Sequence, residues 1–235
     1  MAKLRLKISK GSEVRYVSHL DFAGTIERAV RRANLPAAYS EGFNPHMKLA
    51  FASALAVGVT SEAEYLDLDL TAEPDITDIE ARLKLQFPAG IECKAARYMG
   101  ERSPALMAIV NLATYEIGVP LAPGANLTAA IDVLNRFNNQ VEIIYTKETP
   151  KGRREIDIKE YLAEPVGARL AADNQPLLVI SLSIKITPTG SVKPVEVLGV
   201  LTSNYALPVD IGNALIHRTG LYVTDGRARR SPLEL

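Results

Sequence analysis

Between Lys3 and Ser9 basic and apolar residues alternate one by one, the period of a strand with one basic and one apolar face. From Asp21 to Asn34 the spacing changes, with Phe22, Ile26, Ala29, Val30 and Ala33 falling on one face of a helix that Leu35-Pro36 ends. The apolar run Leu49 to Val59 and the acid/apolar alternation Glu64 to Leu70 predict two strands joined near Gly58 to Ser61. Ile76, Ile79 and Leu83 predict a helix over Asp75 to Gln86 with Pro74 at its first turn, and Ile91 to Met99 predicts a closing strand. The order is βαββαβ.

After a break at 100–104 the pattern partly repeats. Strands are predicted at Ile109 to Val119, Val141 to Thr146, Glu155 to Tyr161 and Leu177 to Thr187. Helices are predicted at Leu127 to Asn138, Lys193 to Ser203 and Asp210 to His217. The expectation is an α+β chain of two ferredoxin-like halves, 1–104 and 105–235, with antiparallel sheets and helices on one face.

Composition changes this picture little. With 47% apolar and 23% charged residues, 15 Gly and 14 Pro in 235 positions, the chain has the make-up of a globular protein, which excludes disordered and collagen-like classes. One cysteine, Cys93, leaves no internal disulfide, CxxC pair or zinc ribbon. The start is not a signal sequence, and uncharged stretches reach only 15 residues, short of the ~20 that span a bilayer, so a cytoplasmic protein is expected.

Charge changes it more. Lys plus Arg and Asp plus Glu both number 27, yet residues 1–60 hold nine cations against four acids, and residues 61–90 hold eight acids against two cations. A domain containing both is expected to be a dipole with a basic side.

Candidate chemistry concentrates in the first segment. Ser18 and Asp21 stand at near capping-box spacing, so capping alone accounts for them, and His19 beside them at a helix start is expected to be neutral. Asp21, Arg28 and Arg32 lie within about 40° on one helix face, either a solvated face or an anion site. Arg31 is explained by Glu27 four residues earlier. The loop Tyr39-Ser40-Glu41-Gly42-Phe43-Asn44-Pro45-His46-Met47-Lys48 is different. Turn chemistry explains Gly42, Asn44 and Pro45 but not Tyr39, Phe43, His46 and Lys48 together; stacking surfaces beside donors suit a base or nucleotide.

Further on, Lys151-Gly152-Arg153-Arg154 is a hairpin turn or a phosphate-seeking patch. Thr187 to Ser191 is expected to cap the next helix, and His217-Arg218-Thr219-Gly220 to close one. Cys93 is expected on a strand as a small buried hydrophobe. No Walker, dinucleotide, zincin or serine-hydrolase motif is present, and nothing in the spacing of His19, His46 and His217 favours a metal site. Acid–base pairs His19/Asp21 and His46/Glu41 stay open.

The run from Arg15 through Ser18-His19-Leu-Asp21, Glu27-Arg28-Ala-Val-Arg31-Arg32, Leu35-Pro36, Tyr39 to His46, and Phe51 through Gly58, Ser61 and Glu64 to Asp67 resembles the bacterial family DUF2344, described as radical SAM-associated. The likeness continues through Lys151 to Asp157, Gly190 to Pro194, Arg218 to Tyr222 and the final Ser-Pro-Leu-Glu-Leu, departing at Met47 and Ala56, where the family usually has Pro. It implies a stand-alone form of a domain otherwise fused behind, or encoded beside, a radical SAM protein with a cobalamin-binding-like domain. Such a catalyst needs three cluster thiolates and this chain has one cysteine, so cluster, SAM and cobalamin would belong to the partner. The expected function is an accessory protein that binds RNA or a nucleotide-containing substrate through Arg15, Ser18, His19, Arg28, Arg32, Tyr39, Ser40, Phe43, Asn44, His46, Lys48, Arg153 and Arg154. The alternatives are a stand-alone enzyme using His19 or His46 as acid/base, with Asp21 a further candidate, over an Arg-lined anion site, or a scaffold for a protein partner.

Overall fold

The computed structural model describes residues 1–100, 102–149, 152–172 and 177–235, and divides them into two compact units, Met1–Asn111 with Arg218–Leu235, and Leu112–His217. A single cut between 104 and 105 does not reproduce this division, because the last eighteen residues belong to the first unit.

In the first unit, Leu4, Leu6 and Ile8 put the apolar face of β1 (Ala2–Lys10) into the core. Helix α1 (His19–Arg32) buries Phe22, Ile26, Ala29 and Val30, the stripe its sequence marks. Strand β2 (Leu49–Phe51) pairs antiparallel with β3 (Val59–Leu70), which pairs antiparallel with β1. Helix α2 (Ile76–Gln86) follows, capped by the Asp75 carboxylate, so Pro74 lies just before the cap and outside the first turn. Strand β4 (Cys93–Met99) lies on the other side of β1. The βαββαβ order is therefore observed, with the apolar side chains of both helices and one sheet face in a single core. The short helix α3 (Leu106–Ile109) ends this stretch and packs against β2 and β3.

The second unit opens with β5 (Leu112–Pro120) and α4 (Leu127–Asn138), the helix at its expected bounds. Strands β6 (Ile144–Thr149) and β7 (Gly152–Asp157) form a separate hairpin, and α5 (Ile158–Tyr161) follows. The strand expected over Glu155 to Tyr161 thus ends at Asp157, whose carboxylate accepts from the Lys159 N–H and starts a helical turn. Strand β8 (Gly167–Leu170), which no alternation marks, pairs with β9 (Leu177–Lys185), and β9 pairs with β5. Helix α6 (Pro194–Ser203) completes a mixed α+β unit with an antiparallel sheet.

Two expectations fail at the end of the chain. Asp210 to His217 is not a helix: Asp210 caps a 3-10 turn at Ile211–Asn213, and strand β10 (Leu215–Thr224) follows. His217 to Gly220 therefore lie in a strand, not at a helix C-terminus. A Cβ on Gly220 would collide with the Tyr222 ring, which is what glycine accommodates there. Nor does Thr187 to Ser191 cap α6. Thr187 Oγ1 donates to Gly190 O within its own turn, while the Glu196 carboxylate caps the helix by accepting from Lys193 N. In the first unit β10 pairs with β3 and with β11 (Arg229–Arg230).

The second face of the first unit's sheet meets the C-terminal segment. Arg5, fully buried, donates to both Asp67 oxygens at 2.7 and 2.9 Å, to Pro232 O at 2.8 Å and to Pro104 O at 3.2 Å. Arg97 donates to Leu233 O, and the Tyr65 and Ser231 hydroxyls share a hydrogen bond. The final Ser231–Leu235 segment is held there as a strap.

Candidate functional site

The 39–48 loop leaves and re-enters the fold at one point. Lys48 N–H donates to Ala38 O, Ser40 N–H to His46 O and His46 N–H to Ser40 Oγ, at 2.8 to 2.9 Å, and Tyr39 bridges Met47. Above this base the tip Glu41–Pro45 is exposed, with Gly42 at φ +116°, a conformation that favours glycine. Phe43 is 106% exposed and Tyr39 41%, so both rings stand in water on a fixed base. Asn44 and His46 are exposed beside them.

At the start of α1 the capping reading holds. Ser18 Oγ accepts from Asp21 N–H and donates to the Asp21 carboxylate at 2.7 Å, which occupies both residues. His19 packs edge-on against Phe51 at 5.1 Å. Burial holds its imidazole below the usual histidine range, Lys10 and Arg218 push the same way, and Glu64 opposes them. The neutral ring expected from the helix dipole is thus favoured mainly by burial. Arg15 is half-buried, with its Nε fully enclosed and unpartnered.

The arginines of α1 divide. Arg32 donates to the Gln86 side chain and to Gln86 O at the end of α2, a structural tie between the helices. Arg28 is exposed and donates to Thr25 Oγ1. Arg153 and Arg154 lie on exposed β7 of the second unit, and Lys151 is outside the described residues. The structure thus gathers Tyr39, Ser40, Phe43, Asn44, His46 and Lys48 on one loop, and Arg15, Ser18, His19 and Asp21 at one helix start.

Beneath α1 is a charge cluster absent from the sequence reading. Arg218 donates from Nη1 to both Glu64 oxygens, at 2.9 and 3.1 Å, and to Ser53 Oγ, with Glu64 1% and Arg218 4% exposed. Lys10, 1% exposed, donates to Arg15 O and Val17 O and sits 5.8 Å from the Phe22 ring centre. Burial lowers the Lys10 ammonium's pKa, against Glu64. One signal was available: Lys10 continues the parity of Leu4, Leu6 and Ile8, and Glu64 that of Leu66, Leu68 and Leu70, so both charges occupy core positions. Arg218 carried no such signal because its segment reads as a helix.

Beside the loop is a groove of about 320 Å³ on the face of β3 opposite α1 and α2. Met47, Leu49, Leu106 and Met107 contribute apolar walls, and Lys3, Lys48, Asp67 and Asp69 the charged groups. Among the described residues no group of three or more His, Cys, Asp or Glu could hold a metal ion, and no helix is long and apolar enough to cross a membrane.

The model of a family described as an uncharacterized protein conserved in bacteria, DUF2344, matches residues 3–194. No curated protein sequence matches the chain. Among solved structures, a chain of a Cbf5-Nop10-Gar1 complex aligns with 94% of this chain at TM-score 0.50 and 10% identity, a likeness of fold, and this chain spans 48% of its length. A chain described as a glycine cleavage system transcriptional repressor aligns over 92% of this chain and 95% of its own at 12% identity, with a TM-score of 0.25 from which no shared fold is read.

Proposed function

The chain belongs to DUF2344, and from that premise we propose that it is a binding protein for single-stranded RNA or a nucleotide-containing substrate, engaged through the 39–48 loop. One observation carries the reading: Phe43 and Tyr39 present their rings to water on a loop whose ends are fixed by three hydrogen bonds. A fixed base limits the ordering entropy lost on binding, and exposed rings give bases a stacking surface independent of sequence. Lys48 supplies a cation where the loop re-enters the fold.

The protein is an accessory in this reading, and the chemistry belongs to a partner. An iron–sulfur radical enzyme needs three thiolates, whereas this chain offers Cys93, whose thiol burial pushes up to about 11. The donor set does not fit a cluster, so cluster, SAM and cobalamin are assigned to the radical SAM partner that the family resemblance implies.

The test is fluorescence anisotropy of a labelled single-stranded RNA with the full chain. Stacking is worth about 1–3 kcal/mol per base, so Phe43→Ala with Tyr39→Ala is expected to weaken binding by at least roughly tenfold. Absence of RNA binding, or an affinity untouched by the double variant, overturns the proposal.

A further inference from the structure

We infer that the groove beside the loop selects guanine, with Lys48 and Asp69 reading the base edge. This rests on the nucleotide-binding reading above and specifies the base. The two residues are held together by the sheet: Asp69 N–H donates to Lys48 O at 3.0 Å, and both side chains line the groove. Asp67, the other carboxylate there, has both oxygens committed to Arg5. Asp69 and Lys48 form no side-chain ion pair or hydrogen bond among the described residues. Lys3, opposite Asp69 on β1 and lining the same groove, donates to Ser103 O at 3.4 Å, so the Asp69 carboxylate and the Lys48 ammonium are the acceptor and donor that stand side by side between apolar walls.

That pattern complements a single base. On its pairing edge guanine offers two adjacent donors, N1–H and the N2 amino group, followed by the O6 acceptor. A carboxylate takes the two donors together and an ammonium takes O6. Adenine and cytosine place a ring-nitrogen acceptor beside one amino donor, and uracil places one N–H between two carbonyls, so each would set an acceptor against a carboxylate oxygen. The walls formed by Met47, Leu49, Leu106 and Met107 suit the base faces, and the volume of about 320 Å³ lies at the small end of ligand pockets, near 300–1,000 Å³. The chain runs directly from the loop into the groove through Met47 and Lys48, so a strand stacked on Phe43 can place a neighbouring base there.

The experiment titrates the full chain with GMP, IMP, AMP, CMP and UMP by isothermal calorimetry. GMP is expected to bind about tenfold or more tightly than AMP, CMP or UMP, since a bidentate base contact is worth about 1–3 kcal/mol of discrimination. IMP, which keeps N1–H and O6 but lacks the N2 amino group, is expected between GMP and AMP. Asp69→Asn should erase the preference, and Lys48→Met, which leaves the carboxylate in place, should reduce it. Equal affinities for all five, or a GMP preference surviving both substitutions, overturns the inference. Free nucleotides do not require the loop, so a GMP preference with no RNA binding sinks the loop reading alone, and RNA binding with no base preference sinks this one alone.

Discussion

Removing either member of the Glu64–Arg218 pair strands the other charge in the core. Arg218→Ala or Glu64→Ala is therefore expected to cost about 3–5 kcal/mol in urea unfolding, while replacing both with apolar residues of similar volume costs much less. His19 makes a second prediction, in pH. Its folded-state pKa lies below the ordinary value of 6.5, so the folded protein binds fewer protons than the unfolded chain just below that pH. The stabilisation is complete above pH 6.5 and declines as pH falls toward the depressed value. Urea midpoints measured from pH 7.5 downward should show His19→Gln losing less stability on acidification than the parent; equal losses would contradict it. At this scale the sequence was readable where a residue answers to its neighbours: Ser18 and Asp21 form the expected cap. It was unreadable for Arg218, whose partner Glu64 is 154 positions away.

Among elements, the strap is the contact with the most at stake. Deleting Ser231–Leu235 removes the Pro232 carbonyl from fully buried Arg5 and Leu233 O from Arg97. A loss of about 2 kcal/mol or more is expected, since hydrogen bonds to charged groups are each worth about 1.5–3 kcal/mol, and urea unfolding of the truncated chain checks it. The elements of the first unit were legible because each has one apolar stripe of unambiguous period, as in β1 and α1. Strand β10 was not. Its Arg218 and Gly220 interrupt any apolar alternation because one carries a buried guanidinium and the other makes room for Tyr222. Strand β8, at four residues, is too short to show a period.

For the whole molecule, the sharp division of charge along the chain is partly closed where β1 meets β3. Strands β1 and β3 lie antiparallel with Lys3 opposite Asp69 and Arg5 opposite Asp67, so part of the basic segment is set against part of the acidic one. A local site without a broad basic field should show a shallow salt dependence. With about 0.7 in the log–log slope per phosphate contact on a single strand, one to three contacts predict a slope between about −0.7 and −2. A slope near about −5 would require an extended cationic surface instead. The candidate loop was legible in the sequence because its aromatics answer to no core period; the guanine groove was not, because Lys3, Lys48 and Asp69 meet only when β1, β2 and β3 pair. Photocrosslinking measures directly where a nucleic acid touches the chain. A single-stranded RNA carrying 4-thiouridine, irradiated on the full protein and digested with trypsin, should label the Ala33–Lys48 peptide. Labelling confined to peptides of the second unit, or none at all, would contradict the account.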